Sequence, residues 1–445
     1  MIMVVKIGFY EDNITGPVGI PQTGYMERTR VSEGVNDPLF CSCMFFEVNS
    51  RKYAIVSLDL CAVDKKFSEK IRDLSHKMVG IPKENIIIAA THTHSAMDGF
   101  LLGWAFKIDK FPRIKFYKTK GLPEEDYVNV MRDFIAYKVS GCVYASSLIA
   151  KSGHIGVSSI NLHDICSNRH DPSAFFDPEL FVLGVANNEN KLLGSIINYS
   201  CHPTVLSYDN YLYSADFIGY VREFLKRNIE GHVPVYLNGA CGEISTRFTR
   251  RAQNFQEAKR LGYMLGSQIL FLLNKMELIE EIKNVESKIK EIKLPLKQLP
   301  SYEEAKKIFD NAKEEYEKLK SLGAPQGKLR VAWTKVEGAL EILERIKLGL
   351  IDNEVNTFIQ ALKINENVFI GVPGELYSTI AYELKQYGLS LGKKVIVIGY
   401  ANDYIGYLLP PEEFQKQTYE SFMSFFDDKT SKSLINDLKL LIREI

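Results

Sequence analysis

Two histidines separated by a single residue are the clearest candidates for chemistry in this chain. His92 and His94 stand in the segment Thr-His-Thr-His-Ser, at the end of an isoleucine-rich run that begins at Asn85. In an extended backbone the side chains at positions i and i+2 face the same side, so both imidazoles can converge on one ion or one substrate. The motif alone fits a metal site and a pair of hydrogen-bonded histidines beneath a loop equally well.

Two further candidates close other apolar runs. His202 is followed by Pro203, which restricts the chain directly after the imidazole, and Glu375 follows Gly374, which permits a tight turn. Two imidazoles, a carboxylate and an open position are typical of a catalytic zinc. The alternative role for Glu375 is to cap a helix over residues 376–387, where a carboxylate is favourable at the N-terminus.

The elements that must position these residues are short β-rich runs separated by helical patterns. Near-continuous Ile and Val runs indicate strands covered on both faces. We therefore expect an α/β fold with a mixed central β-sheet flanked by helices, which binds its ligand at the strand ends. The runs are 53–59, 85–92, 193–202, 233–239, 367–375 and 394–400, and helical patterns cover 67–78, 216–228 and 258–276.

Two inserts interrupt this alternation. From about 277 to 350 the composition shifts to Lys, Glu, Leu and Ile, and Ser301 with Glu304 forms a capping-box signature. This predicts an inserted αα-hairpin with a solvated charged face, a lid or partner surface being the alternative. Residues 104–126 interleave basic and aromatic side chains, which predicts a loop over a pocket rather than a nucleic-acid site.

Charge and cysteine content limit the class of protein. The 55 Lys and Arg balance 55 Asp and Glu, which disfavours binding to nucleic acid or to a membrane surface. No apolar run is long enough to span a bilayer. The apolar stretch 261–273 is predicted to be a buried helix. Seven cysteines without a C-x-x-C pair disfavour a disulfide framework and predict reduced thiols. The N-terminus lacks an export signal, which predicts a cytoplasmic protein.

Other catalytic motifs are missing from the sequence. It has no G-x-S-x-G elbow, no P-loop, no G-x-G-x-x-G after a strand and no H-E-x-x-H helix. Serine hydrolase, nucleotide-binding and zincin functions are therefore disfavoured. Apart from Cys201, the cysteines lie away from the candidate motifs in the sequence, which favours imidazole and carboxylate ligands over thiolates.

Ordered sequence blocks carry a family resemblance across nearly the whole chain. The blocks are 14–17, 34–39, 57–60, 90–95, 167–174, 202–204, 238–245, 372–375, 404–407 and 411–420. Through them the chain resembles the neutral (non-lysosomal) ceramidases, in the catalytic N-terminal domain of that family. The resemblance implies one large catalytic domain over residues 1–445, with the helical hairpin as its insert.

The resemblance also implies the ligands of a single zinc and the remaining catalytic groups. The implied ligands are His92, His202, Glu375 and Tyr407, and the implied catalytic residues are His94, Arg169, Ser245 and Tyr419. Zinc-bound water would attack a linear amide, with Arg169 and Tyr419 stabilising the oxyanion and His94 relaying a proton to the leaving amine.

Each of these groups also has a structural alternative. Arg169 could pair with Asp171 or Asp177, Ser245 could cap a turn, and Tyr419 could be a core aromatic.

Departures from the family pattern leave the substrate open. Residues 96–100 replace a Gly-Pro-Gly type of loop, Thr246-Arg247 stands where the family commonly has Pro-Asn, and the appended β-sandwich domain does not follow residue 445. The amide could be ceramide, another N-acyl compound or a small metabolite. The alternatives are a metal-binding or ligand-binding homologue without turnover, or a metal-dependent ester or phosphoester hydrolase. In the latter, Asp59, Asp98 and Asp216 could hold a second metal.

Overall fold

The computed structural model describes residues 5–25, 28, 30–100, 124–347, 353–416 and 418–445. Of the basic and aromatic insert predicted at 104–126, residues 104–123 lie outside the described residues. The apolar stretch 261–273 lies inside a helix that packs on the core, as predicted. No helix in the described ranges has the length and apolar character needed to cross a bilayer.

The first four-stranded sheet has the order β1-β3-β4-β5. Its strands are β1 (Val5–Asn13), β3 (Phe40–Val48), β4 (Arg51–Leu58) and β5 (Ile86–Ala90). Only β4 and β5 are parallel, and α1 (Lys65–Val79) makes the crossover between them. The Asp64 side chain accepts a hydrogen bond from the Phe67 amide at the start of α1, and Gly80 ends the helix with φ 74°. Helix α2 (Glu124–Leu148) packs against α1 and against strands β1 and β3.

The second sheet repeats this plan with the order β11-β9-β8-β6. Its strands are β6 (Gly153–Asn161), β8 (Glu179–Asn187), β9 (Leu192–Tyr199) and β11 (Val233–Asn238). The crossover between the parallel strands β9 and β11 is α3 (Asp216–Asn228), which packs against α4 (Phe255–Lys275). Two short ladders join β10 (Leu212–Tyr213) to β2 (Gly34–Val35) and β12 (Ile244–Ser245) to β7 (Ser167–Asn168).

The third sheet has the order β13-β14-β15-β17. Its strands are β13 (Val285–Pro295), β14 (Glu354–Ile364), β15 (Asn367–Gly371) and β17 (Lys394–Ile398). Helix α7 (Ser378–Ser390) makes the crossover between the parallel strands β15 and β17. A short parallel pair, β16 (Glu375–Leu376) and β18 (Tyr407–Leu408), follows, and the chain closes with α8 (Tyr419–Met423) and α9 (Asp428–Glu444).

Each sheet is thus an antiparallel three-stranded unit followed by a helix and a fourth, parallel strand. The six apolar runs predicted as strands are the third and fourth strands of the three sheets, and the α/β class is confirmed. Ile55, Ile196 and Phe369, one from each sheet, belong to one buried cluster. Packing of three sheets on a common core brings their parallel strand ends together.

Hydrogen bonds close a circle through the ends of the three fourth strands. The Ala90 amide donates to the Tyr400 carbonyl at 3.1 Å, and the Gly399 amide donates to the Asn238 carbonyl at 3.0 Å. The circle is completed by Nδ2 of Asn238, which donates to the Thr91 carbonyl at 3.0 Å. The three strand ends are therefore fixed relative to one another.

The αα-hairpin is present as α5 (Tyr302–Ser321) and α6 (Gln326–Lys347), with the predicted capping box at Ser301 and Glu304. It is shorter than the predicted insert at 277–350, because residues 285–295 form the edge strand β13, paired with β14. This strand is mostly half-buried or exposed, and its Lys and Glu residues give it the composition of a solvated helix. The hairpin is inserted at the turn between β13 and β14.

Candidate active site

His92, His202 and Glu375 converge in a buried cluster beyond the strand ends. Nε2 of His202 lies 3.1 Å from Oε2 of Glu375, and Nε2 of His92 lies 3.5 Å from the same oxygen. Three ligands of a tetrahedral zinc, each at its usual bond length, lie about 3.3 Å apart. The two distances to Glu375 match this spacing, and all three ligand atoms lie within 4.8 Å of one another, so these three predicted ligands fit a single zinc.

Backbone carbonyls orient both imidazoles. Nδ1 of His92 donates to the Cys61 carbonyl at 2.7 Å, and Nδ1 of His202 donates to the Cys241 carbonyl at 2.5 Å. These bonds leave each Nε2 facing Glu375, so that in the neutral imidazole its lone pair is available for metal ligation. His92 also has φ 69°, and its ring stacks on Tyr400 with centroids 3.9 Å apart. The chain therefore holds the imidazoles in place before any ion binds.

The cluster also has the electrostatics of a cation site. Burial opposes a charge on His92, but the neighbouring Cys61 and Glu375 raise its pKa to about 10. Burial alone would raise the pKa of Glu375, yet His92 and His202 hold it well below its usual range. A buried carboxylate is thus ionised and needs a positive charge beside it, which a bound metal would supply in place of the proton.

Two cysteines lie beside this cluster, and the sequence did not predict that they would be there. Sγ of Cys61 lies 3.7 Å from Nδ1 of His92, and Sγ of Cys241 lies 3.1 Å from the hydroxyl of Tyr400. Cys61 forms, with His92 and His94, a second group of possible ligands. The signal for Cys61 was available, because it stands two residues after the end of the predicted strand 53–59. As predicted, all seven cysteines are free, and all are buried.

His94 lies at the edge of the cluster and is half-buried. Its Nε2 is 3.2 Å from Nε2 of His92, and its ring meets the Tyr25 ring edge-on with centroids 4.9 Å apart. Burial and the two neighbouring imidazoles lower the pKa of His94, so it is neutral. Its buried Nδ1 has no hydrogen-bond partner within the described part of the chain.

Tyr407 and Arg169 border Glu375 on the other side. Arg169 Nη2 donates to the Tyr407 hydroxyl at 3.3 Å, and its Nε donates to Oε1 of Glu420 at 2.6 Å. The alternative prediction, that Arg169 pairs with Asp171 or Asp177, is wrong. Asp171 accepts from Ser173, and Asp177 pairs with Lys385.

Glu420 is a functional candidate that sequence reasoning missed. It is fully buried, and besides Arg169 it binds Nε2 of His170 at 2.8 Å. Although burial opposes its charge, Arg169 and His170 hold its pKa well below the usual range. The only sequence signal was its position next to Tyr419. The carboxylate fixes the direction in which Arg169 points.

Tyr419 begins α8 and faces the same space. Its ring centroid is 5.9 Å from that of Tyr407, and Cζ of Arg169 lies 5.9 Å from it. Burial raises the pKa of Tyr419, so its hydroxyl keeps its proton. Helix α6 packs behind α8, and an added Cβ at Gly338 would lie 2.4 Å from Cβ of Phe422. The hairpin insert therefore supports the helix that carries Tyr419.

Ser245 adjoins the cluster through the backbone. It is bridged to His202, whose amide donates to the Ile244 carbonyl at 3.0 Å. The Ser245 hydroxyl accepts a hydrogen bond from the Arg247 amide at 3.3 Å, which is the turn-capping role considered as its structural alternative. The structure thus places Ser245 beside a proposed ligand and gives its hydroxyl a local partner.

Glu243, and not Glu375, caps the helix that follows the Pro-Gly-Glu turn. Helix α7 begins at Ser378, whose amide and hydroxyl both donate to the buried Glu243 carboxylate. Burial raises the pKa of Glu243 to about 7. The oxygens of Glu375 face His202 and the Tyr404 hydroxyl instead. The helix-capping alternative for Glu375 is therefore wrong.

The spare carboxylates considered for a second metal are engaged elsewhere. Asp59 pairs with Nη2 of Arg222 at 2.8 Å, and Asp216 accepts from the Leu206 amide at 2.9 Å. Asp98 accepts from the Thr23 hydroxyl at 2.6 Å. Within the part of the chain that the structure describes, none of the three belongs to a group able to hold a metal.

Known proteins are similar to half of this chain in sequence. The neutral ceramidase of Drosophila pseudoobscura pseudoobscura is 24% identical to this chain over 245 residues. The neutral ceramidase of Drosophila melanogaster is 25% identical to it over 240 residues. Each match covers 50% of this chain and 32% of the relative, so the chain spans about a third of the length of the curated relatives it matches.

Solved structures with the same fold match almost the whole chain. The neutral ceramidase from Pseudomonas aeruginosa superposes with a TM-score of 0.74 at 19% identity, covering 99% of this chain and 74% of that one. A structure described as ceramidase complexed with C2 superposes with a TM-score of 0.73 at 18% identity, and the match covers 99% of this chain and 75% of that one. The family model "Neutral/alkaline non-lysosomal ceramidase, N-terminal" matches residues 5–240. Since this match covers more than half of the chain, the protein belongs to the neutral/alkaline non-lysosomal ceramidase family.

Proposed function

We propose that this protein is a zinc-dependent hydrolase that cleaves a linear amide bond in an N-acyl compound. The observation that carries the proposal is the convergence of His92, His202 and Glu375, with both Nδ1 atoms committed to backbone carbonyls. This arrangement is typical of a catalytic zinc site with imidazole and carboxylate ligands. Membership of the ceramidase family supports the choice of an amide as substrate.

One zinc per chain would be held by His92, His202, Glu375 and Tyr407. When bound, zinc lowers the pKa of a coordinated water and polarises a carbonyl group. Tyr407 is proposed as the fourth ligand because it pairs with Glu375 across a parallel ladder.

The remaining residues act on the amide itself. Arg169 and Tyr419 would donate hydrogen bonds to the carbonyl oxygen as it gains negative charge, and both are held on the Tyr407 side of the cluster. His94 is neutral and half-buried, so it would accept the proton released by the attacking water and pass it to the leaving amine. Ser245 joins this set because its strand is bridged to His202.

The proposed substrate is a small-molecule or lipid-like amide, not a nucleic acid. The proposed location is the cytoplasm, and the free, buried state of all seven cysteines supports it. Ceramide remains one member of the proposed substrate class, together with other N-acyl compounds.

Metal analysis combined with an activity screen tests the proposal. The purified protein is expected to hold about one zinc per chain, the stoichiometry of a catalytic site. His92→Ala and Glu375→Ala should lose both the metal and the hydrolysis of N-acyl sphingosines, N-acyl amino acids or short amides. His163→Ala, at an exposed histidine, is the matched control and should keep both.

Three outcomes would contradict the proposal. Full activity in a stably metal-free protein would rule out zinc dependence. A bound zinc without turnover of any amide would instead support a binding protein, and two ions per chain with phosphoester hydrolysis would support the phosphoester alternative.

A further inference from the structure

A turn at residues 246–250 follows Ser245 directly and presents two arginines along one side of the site. Nη1 of Arg247 donates to the Arg169 carbonyl at 3.0 Å, and Nη1 of Arg250 donates to the Thr204 carbonyl at 2.6 Å. The Arg250 amide bonds the Thr246 carbonyl at 2.8 Å, which closes the turn. We call residues 246–250 the arginine turn. Its two guanidinium groups are thus attached to the segments that carry Arg169 and His202.

Arg250 is a half-buried cation without a carboxylate partner in the described ranges. Arg stays protonated in proteins, so the charge must be accommodated. Burial lowers the pKa of Arg250, while Tyr25, Asp216 and Cys201 act in the opposite direction. No ion pair joins Arg250 to Asp216, whose oxygens accept hydrogen bonds from the amides of Leu206 and Phe217. Partial burial of an unneutralised charge is costly, and an anion beside it would remove that cost.

Hydrogen bonds join the guanidinium group of Arg250 to the segment that carries His202. Its acceptor residue, Thr204, donates from its amide to the His202 carbonyl at 2.9 Å. Tyr25 connects the same segment to His94, because its hydroxyl donates to the Leu206 carbonyl at 2.7 Å, two residues beyond Thr204, while its ring packs on His94. An anionic group at Arg250 can therefore belong to a molecule whose amide lies at the histidine cluster.

We propose that the amide substrate of this protein carries an anionic group, a carboxylate or a phosphate, and that Arg250 binds it. The proposal rests on the amide hydrolysis proposed above and specifies its substrate class. A neutral ceramide offers the guanidinium hydroxyl and carbonyl acceptors but no negative charge, whereas an N-acyl amino acid offers a carboxylate that can form paired hydrogen bonds with it. The exposed Phe248 of the same turn can lie against an acyl chain.

The test uses three substrates with one acyl chain and one spacing, in the zinc-loaded enzyme. They are an N-acyl amino acid, the same compound with a carboxamide in place of the carboxylate, and its phosphate analogue. We expect the wild type to prefer the anionic compounds over the carboxamide by about tenfold to a hundredfold in kcat/KM, the range of a charge-assisted hydrogen bond. The carboxylate and phosphate arms show which anion is the better ligand.

Variants assign this preference to one residue. Arg250→Gln should lose about tenfold to a hundredfold in kcat/KM on the anionic compounds and less than about threefold on the carboxamide. Arg250→Lys should recover part of the loss, because it keeps the charge without the planar fork. Arg251→Gln, at the exposed neighbouring arginine, is the matched control and should behave as wild type.

Calorimetric titration of the same three compounds separates the two proposals. If none is hydrolysed but the anionic compounds bind more tightly than the carboxamide and lose this advantage in Arg250→Gln, amide hydrolysis fails and the anion site stands. Equal binding of all three compounds, or an equal loss on charged and neutral compounds in Arg250→Gln, would overturn the anion site.

Discussion

Glu375 and Tyr407 lie directly opposite each other in the short parallel pair β16–β18. The Glu375 amide donates to the Gly406 carbonyl at 2.9 Å, which fixes this register. The two side chains come from segments that follow different strands of the third sheet, so their juxtaposition is a property of the fold and not of local sequence. Tyr407 is in this way tied to a proposed ligand by backbone hydrogen bonds.

Tyr407 and His94 are predicted to separate metal binding from catalysis. Tyr407→Phe removes the proposed fourth ligand and should weaken zinc binding by about tenfold or more. His94→Asn should leave zinc binding within about threefold of wild type, while hydrolysis falls by about a hundredfold, the usual size of a lost acid–base group. Zinc retained after dialysis against graded chelator measures the first effect, and kcat measures the second. The reverse pattern would make His94 the ligand, which its 3.2 Å approach to His92 permits.

Glu420 is predicted to act on the reaction through Arg169. Glu420→Gln removes the charge that holds the guanidinium, so kcat should fall by about tenfold to a hundredfold while KM changes little. The unfolding free energy should also fall by about 3 to 5 kcal/mol, because a buried arginine loses its partner. Steady-state kinetics and urea denaturation measure the two effects. Glu412→Gln, on the exposed face of the neighbouring turn, should change neither.

The raised pKa of Glu243 predicts how the stability of the fold changes with pH. Its pKa is raised to about 7 in the folded protein, so between the unfolded pKa of about 4.3 and pH 7 the folded state binds more protons than the unfolded state. Its contribution to stability therefore falls as the pH rises through this window, by about 1.4 kcal/mol per pH unit at most. Glu243→Gln should remove the slope, as urea denaturation at pH 5 and pH 7.5 can show. An unchanged slope in the variant would contradict the assignment.

Gly338 is predicted to control the position of Tyr419. An added Cβ would meet Phe422 of α8 at 2.4 Å, so Gly338→Ala should destabilise the protein by about 1 to 3 kcal/mol and lower kcat by moving Tyr419. The matched control is Gly141→Ala in α2, where nothing lies within 4 Å of the new Cβ. That change should stabilise the helix by about 0.5 to 1 kcal/mol and leave kcat unchanged. Thermal unfolding and kinetics distinguish the two variants.

The sequence predicted the third and fourth strands of each sheet, and the three proposed ligands beyond their ends, because both signals are local. The run before His92 and the turn before Glu375 can be read from a few neighbouring residues. The division into three sheets could not be predicted, since it depends on pairings such as that of β13 with β14 across the inserted hairpin.

Residues that act through distant partners were missed for the same reason. Glu420 reaches Arg169 across 251 positions of sequence, and Glu243 reaches Ser378 across 135. No periodicity or spacing encodes such pairs. The partner of a buried carboxylate is determined by the packing of whole units.

The circle of hydrogen bonds through Asn238, Gly399 and Ala90 has a consequence for the order of assembly. Each of the three units contributes one residue to the cluster: His92 follows the first, His202 the second and Glu375 the third. His202 and Glu375 are 173 positions apart, so their contact forms only after a long stretch of chain has closed. This contact has a high loop-closure cost, and an ion bound there would act as an internal cross-link joining all three units.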